Sequence, residues 1–178
     1  MPDGELSVAI LARQRYQELE LWFPLLRYRE VGAKASLVGR EAVEHLGGVG
    51  YPAIPDQIAG QSAVPQVLII PGRAPAPEGS QTAEDELTDA ERKVLQAVRD
   101  GDGVIAAIGD GVDVLGAAGL LSGRTVASND ETASRLGEFG ATRATGTVHA
   151  DGGIVTAASA DDLPAFVKAI DAAALVTT

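Results

Sequence analysis

Short runs of consecutive apolar residues recur along this chain, and between them lie segments with the spacing of helices. Ser7-Val8-Ala9-Ile10-Leu11-Ala12, Ala35-Ser36-Leu37-Val38, Val64-Pro65-Gln66-Val67-Leu68-Ile69-Ile70, Gly103-Val104-Ile105-Ala106-Ala107-Ile108 and Gly153-Ile154-Val155-Thr156 read as strands, with a further strand at Arg124-Thr125-Val126-Ala127-Ser128. Where the apolar run is continuous, both faces of the strand are to be covered, which is the habit of parallel sheets flanked by helices. Leu19, Leu21, Trp22, Leu25, Leu26 and Tyr28 mark a helix that stops near Val31-Gly32. Thr88-Asp89-Ala90-Glu91 has the spacing of a capping box and opens another helix, through about Arg99. A third helix is expected from Val112 to Ala118 and a last one near Asp161-Asp162-Leu163-Pro164. Between Gly47 and Ala63, glycines and prolines suit turns or a small irregular hairpin. In such an α/β sheet the ligand crevice lies beyond the carboxyl ends of the strands. The loops after Ala12, at Pro71-Gly72-Arg73 and at Gly109-Asp110-Gly111 should meet there.

Composition narrows the function. With 178 residues and 46% apolar content, residues 1–178 fit a single domain able to build a core. Lys and Arg number 14 against 25 Asp and Glu, a net charge of −11. Such a surface repels phosphate backbones and anionic lipid, so neither a nucleic-acid partner nor a membrane partner is expected. There is no cysteine, which removes disulfides, thiolate metal sites and any thiol nucleophile. His45, expected at the surface, and His149, expected to be structural, are the only imidazoles, and no metal site is expected. Nothing resembles a targeting segment or a span of roughly 18–20 apolar residues, so the expected setting is the cytoplasm.

The order of the segments resembles the DJ-1/PfpI (ThiJ) superfamily, with its class I glutamine amidotransferase-like, flavodoxin-like fold. Four stretches carry the likeness: Gln17-Glu18-Leu19-Glu20-Leu21-Trp22-Phe23-Pro24; Leu68-Ile69-Ile70-Pro71-Gly72; Val104 to Ile108 with the following turn and Leu115-Gly116-Ala117-Ala118-Gly119-Leu120-Leu121-Ser122-Gly123-Arg124; and Asp151-Gly152-Gly153-Ile154-Val155-Thr156 with Asp162-Leu163-Pro164-Ala165-Phe166. The resemblance implies a three-layer sandwich, with a mostly parallel central sheet and helices on both faces. It also implies a homodimer; Trp22 and Phe23 on the first helix are read either as core or as a subunit contact.

The same resemblance shows what has changed. Family enzymes carry a cysteine at the strand-to-helix elbow, where this chain has Gly109, and many follow it with a histidine, here Asp110. Asn129 stands for another histidine, and Arg73 for the second glycine of a P-G-G turn whose amide lines an oxyanion pocket. Glu20 alone is unchanged. Without a thiolate there is no cysteine hydrolase and no thiol-dependent glyoxalase chemistry.

Glu20 and Asp110 are therefore the candidate catalytic pair, because two carboxyl groups in a partly dry crevice push at least one pKa toward neutrality. Arg73, Gly72, Gly109, Gly111 and Asn129 are candidate substrate-binding residues. Each has a plainer alternative. Glu20 would otherwise be an exposed first-turn glutamate, Asp110 a helix cap, Arg73 a solvated loop residue and Asn129 a turn residue. Glycine at position 109 is also what a chain released from the ancestral chemistry would tolerate at a strained elbow. Two functions follow. One is a cofactor-free enzyme of lyase, hydratase or isomerase type acting on a small polar molecule. The other is a catalytically silent protein that binds a polar metabolite or a protein partner.

Overall fold

The computed structural model describes residues 5–75 and 86–176. The proline-bearing run Arg73 to Glu86, which reads from its residues as a polar loop, lies mostly outside the described residues, Glu84 and Asp85 included.

Seven strands form the main sheet: β1 (Ser7–Leu11), β2 (Lys34–Gly39), β5 (Gln57–Ile58), β6 (Val67–Ile70), β7 (Val104–Ile108), β10 (Val148–Asp151) and β11 (Ile154–Ala157). Their order is β10-β11-β7-β6-β1-β2-β5, and every pairing is parallel except the edge hairpin β10–β11. Helices α1 (Glu18–Glu30), α2 (Asp89–Asp100), α3 (Gly111–Ala117), α4 (Asp130–Ala133) and α5 (Leu163–Val176) complete the layers, with a 3-10 turn at Ala160–Asp162 leading into α5. This is the α/β, flavodoxin-like sandwich expected from the sequence.

The continuous apolar runs explain the two-sided burial. Alternate residues of each strand point to opposite faces. Val8, Ile10, Ile69, Ala106 and Ile108 pack with Leu21, Leu25 and Tyr28 of α1 and with Phe166 and Ile170 of α5. Ala9, Leu11, Leu68, Ile70, Ile105 and Ala107 pack with Leu95 and Val98 of α2 and with Leu115 of α3. In β1, β6, β7 and β11 neither face is left to water, so these strands carry no polar alternation.

The segment read as one strand over Arg124–Ser128 is shorter and separate. Only Thr125–Val126 (β8) is extended, and it pairs in parallel with β9 (Thr142–Arg143) rather than joining the main sheet. Its amide at Ala127 donates to the Thr156 hydroxyl instead of to a ladder carbonyl. His45, expected at the surface, is 6% exposed. It lies in β3 (His45–Leu46), which pairs antiparallel with β4 (Pro52–Ala53), and this hairpin folds the ring against Gly39. No helix among the described residues is long and apolar enough to cross a membrane.

The capping box at Thr88 forms in full, and its glutamate does more than cap. Glu91 is fully buried, accepts from the Thr88 amide and hydroxyl, and receives two hydrogen bonds from Arg40, with Arg13 at 3.5 Å. Burial pushes its carboxyl upward. The bonds from Arg40 and Thr88, with the charge of Arg13, outweigh burial and hold it below its ordinary value. This cluster ties α2 to the carboxyl ends of β1 and β2. Glu91→Ala should cost about 3–5 kcal/mol, because buried guanidinium charge loses its counter-ion. Because the folded pKa is depressed, the stability contributed by ionisation is present above the unfolded value and lost as pH falls through the folded one. Urea unfolding should therefore show the gap between native and variant chains narrowing in acid.

Candidate functional site

The strand order places the site. From β1 the chain moves outward through β2, and from β6 it moves the opposite way to β7, so the topological switch lies between β1 and β6. Beyond that point the two strand exits are stitched together. The Gln17 amide donates to the Gly72 carbonyl (2.8 Å), the Ala74 amide donates to the Arg15 carbonyl (2.7 Å), and Tyr16 pairs with Arg73.

Helix α1 delivers Glu20 to this junction from its first turn. Gln17 caps the helix, and its side-chain oxygen accepts from the Glu20 amide. Pro24, one turn on, has no N–H to offer the Glu20 carbonyl. The Glu20 side chain turns inward and is 5% exposed. Its Oε2 accepts from the Gly72 amide at 2.7 Å. The next amide, that of Arg73, donates to Asp110 Oδ1 at 2.6 Å. Two consecutive backbone donors therefore each hold a carboxyl group, one from α1 and one from the turn after β7.

Gly72 has to be glycine. A carbon built at its Cβ position would stand 2.6 Å from Asp110 Oδ1 and 2.8 Å from Glu20 Oε2. Gly109 occupies the elbow with φ of +60°, and a carbon built there would lie 3.4 Å from both oxygens of Glu20. Asp110 is the residue before α3 but makes no side-chain cap bond there, because its carboxyl is committed to the Arg73 amide.

Glu20, Gly72, Arg73, Gly109, Asp110 and Asn129 line one cleft of about 220 Å³. Gly111 sits behind this wall, where a carbon at its Cβ position would meet the Ile70 carbonyl at 2.4 Å. Asn129 lines the cleft and also caps α4, its Oδ1 accepting from the Thr132 amide at 2.8 Å. Gln17, Glu131 and Ser159 join the lining without having been read from the sequence. Gln17 had a legible signal, an amide immediately before a helix start. Glu131 and Ser159 had none, since only the packing of α4 and of the segment after β11 brings them to the cleft.

Burial pushes the Glu20 carboxyl from its ordinary 4.5 to about 7; the Gly72 bond opposes this and the nearby Asp110 reinforces it. Burial also raises Asp110, against the amide and guanidinium of Arg73 and with the charges of Asp113 and Glu131. Arg13, behind the site, is lowered to about 10, first by burial and then by the charge of Arg73. Among the described residues no three His, Asp or Glu side chains gather as a metal centre would require.

A parallel α/β sandwich with a glutamate facing a glycine elbow across the strand switch defines a class, that of proteins built around a strand-to-helix elbow. The family model for the DJ-1/PfpI family matches residues 6–173, and the chain belongs to that family as a member without the elbow cysteine. It is 28% identical over 163 residues to a protein of Archaeoglobus fulgidus, covering 90% of this chain and 94% of that one. In structure it is similar to a two-domain protein of Anabaena variabilis with DJ-1/ThiJ/PfpI-like and ferritin-like domains (TM-score 0.84, 21% identity), matching 94% of this chain and 48% of that one. It is also similar to Drosophila melanogaster DJ-1beta (TM-score 0.81, 22% identity, 96% of this chain and 91% of that one). At these identities the likeness speaks to the fold.

The raised Glu20 pKa has a definite consequence for stability. Folded Glu20 keeps its proton to higher pH than in the unfolded chain, so stability is greatest below about 4.5 for this group and falls as pH rises through about 7. Glu20→Gln should remove that slope, gaining on the native chain between pH 5 and pH 8 in urea unfolding. Carbon-13 titration of the native chain should find a carboxyl with its midpoint near 7.

Proposed function

We propose that this DJ-1/PfpI member is a cytoplasmic, cysteine-independent enzyme of lyase, hydratase or isomerase type, working on a small polar molecule with its own carboxyl groups and no cofactor. The observation that supports this most directly is the pairing of Glu20 and Asp110 on the consecutive amides of Gly72 and Arg73, at the foot of one cleft. Near pH 7 such a pair holds both a proton to give and a carboxylate to take one. Glu20, pushed up to about 7, is the general acid in its protonated form, and Asp110, held on the Arg73 amide, is its partner base. Arg73 orients a polar group of the substrate at the cleft wall, while Gly72, Gly109 and Asn129 shape the cleft and Gly111 supports it from behind.

Incubation of the chain with a metabolite extract, read by mass spectrometry, tests the reading. Glu20→Gln and Asp110→Asn should each lower turnover of the converted compound by about 10²–10⁴-fold while leaving the fold intact. Full activity in both variants would sink the mechanism.

A silent, ligand-binding protein is the second reading. It is favoured by one feature: the amides that could stabilise an anionic intermediate are already bonded to the protein's own carboxyl groups. Saturable binding of a metabolite with no product would support it.

We also propose a homodimer. Leu19, Phe23 and Leu26 leave an apolar stripe on the outer face of α1, and the β3–β4 hairpin extends it with Val49 and Tyr51. The hairpin is fastened to the helix through the Val49 amide, which donates to Glu18, and through the edge of Tyr51 against Trp22, 5.6 Å between centroids. Phe23→Asp should convert a dimer to a monomer in light scattering without loss of helical signal.

A further inference from the structure

Two side-chain amides on the cleft wall have their oxygens engaged and their nitrogens open. Gln17 precedes α1, and its Oε1 accepts from the Glu20 amide at 2.9 Å. Asn129 precedes α4, and its Oδ1 accepts from the Thr132 amide at 2.8 Å. The oxygen and nitrogen of such a group have nearly the same shape. A backbone N–H needs an acceptor, however, so each cap bond fixes which atom is the oxygen and, with it, where the NH₂ stands. Neither NH₂ group has a hydrogen-bond partner among the described residues, and neither is sealed from water. Both residues line the same cleft. Each offers N–H donors whose direction is set by a helix end before any ligand arrives.

The other polar groups of the lining are engaged or are donors themselves. Glu20 is held by the Gly72 amide and Asp110 by the Arg73 amide, at 2.7 and 2.6 Å. Glu131 has the Arg135 guanidinium at 3.6 Å. Arg135 also donates to Asp113 of α3 at 3.3 Å, which ties the segment carrying Asn129 to the elbow helix. The Ser159 hydroxyl donates to Asp162 Oδ2 at 3.3 Å, and the Arg73 side chain can only donate. Three carboxyl groups alone would suggest a cationic ligand. Here each of them already has a donor from the protein, and the groups left to be satisfied are those of Gln17 and Asn129.

We infer that Gln17 and Asn129 are the specificity-determining residues of the cleft, each donating a side-chain N–H to an oxygen of the ligand, and that the ligand presents a carboxylate or amide oxygen rather than an ammonium group. This rests on reading the cleft as a small-molecule site and deepens it by naming what the ligand must present. A cleft of about 220 Å³ corresponds to roughly seven water molecules at about 30 Å³ each, room for a compact hydroxy acid or its amide.

The probes are lactate and lactamide, a carboxylate and a neutral amide on one skeleton, beside isopropylammonium, a cation with donors only. With the full chain at pH 7, lactate or lactamide should shift the side-chain NH₂ resonances of Gln17 and Asn129 saturably, and the tighter of the two identifies the acceptor. Isopropylammonium should bind at least ten-fold more weakly than that probe. Both NH₂ groups unmoved by either acceptor probe, or isopropylammonium binding as tightly, overturns the inference. Gln17→Glu and Asn129→Asp keep an oxygen for the cap and lose the N–H, and Gln17→Ser and Asn129→Ser do so without adding charge. Each variant should weaken the tighter probe about ten-fold. Undiminished binding in the folded serine variants, which a capping role alone would give, overturns the inference. If those variants do not fold, the native-chain comparison decides alone. Metabolite turnover separates the two proposals. Turnover abolished by Glu20→Gln, with probe binding indifferent to the donor variants, defeats only this inference, whereas donor-dependent binding with no turnover defeats only the acid–base reading.

Discussion

Two neighbouring backbone amides, those of Gly72 and Arg73, hold two carboxyl groups that come from different parts of the chain. Removing a carboxylate from water costs several kcal/mol, and a charge-assisted bond from a fixed amide is among the few compensations a protein interior offers. The main chain at this turn lies at the sheet's topological switch, so the groups it gathers have left opposite directions of the sheet. The rest of the site follows from that arrangement. Glycine at 72 is required because both carboxyl oxygens crowd its missing side chain, and Asp110 forgoes the cap of α3 because its carboxyl is engaged elsewhere.

The elbow at Gly109 completes the arrangement. Its positive φ is one that glycine adopts with least strain, and the absent side chain leaves Glu20 facing a short gap rather than a nucleophile. Burial pushes the carboxyl group in that position up to about 7. The chain keeps the family's scaffold with no cysteine at the elbow.

Much of the architecture was legible in the residues. Runs such as Val67–Ile70 and Val104–Ile108 had no polar alternation, and each proved to be covered on both faces. Thr88 and Glu91 announced their capping box by spacing. The less legible parts depended on distant partners. The run from Arg124 to Ser128 has strand-like residues, yet only Thr125 and Val126 find a ladder, because the Ala127 amide is taken by Thr156. His45 has no apolar stripe to signal burial, and the hairpin that covers it is only two residues long on each strand. Glu131 and Ser159 carry no mark distinguishing them from surface residues.

The sequence by itself determined the layered α/β fold, since unbroken apolar strands need cover on both faces, and it determined the loss of thiol chemistry, since no cysteine is present. It also supplied Glu20 and Asp110 as carboxyl groups near strand ends, each with a plainer alternative. Only the tertiary structure shows that Glu20 is buried and that Asp110 makes no cap bond. Whether a carboxyl group is a surface charge or a buried acid depends on which amide it meets and how much water it keeps. Both are set by the meeting of segments 52 and 37 residues apart in the chain.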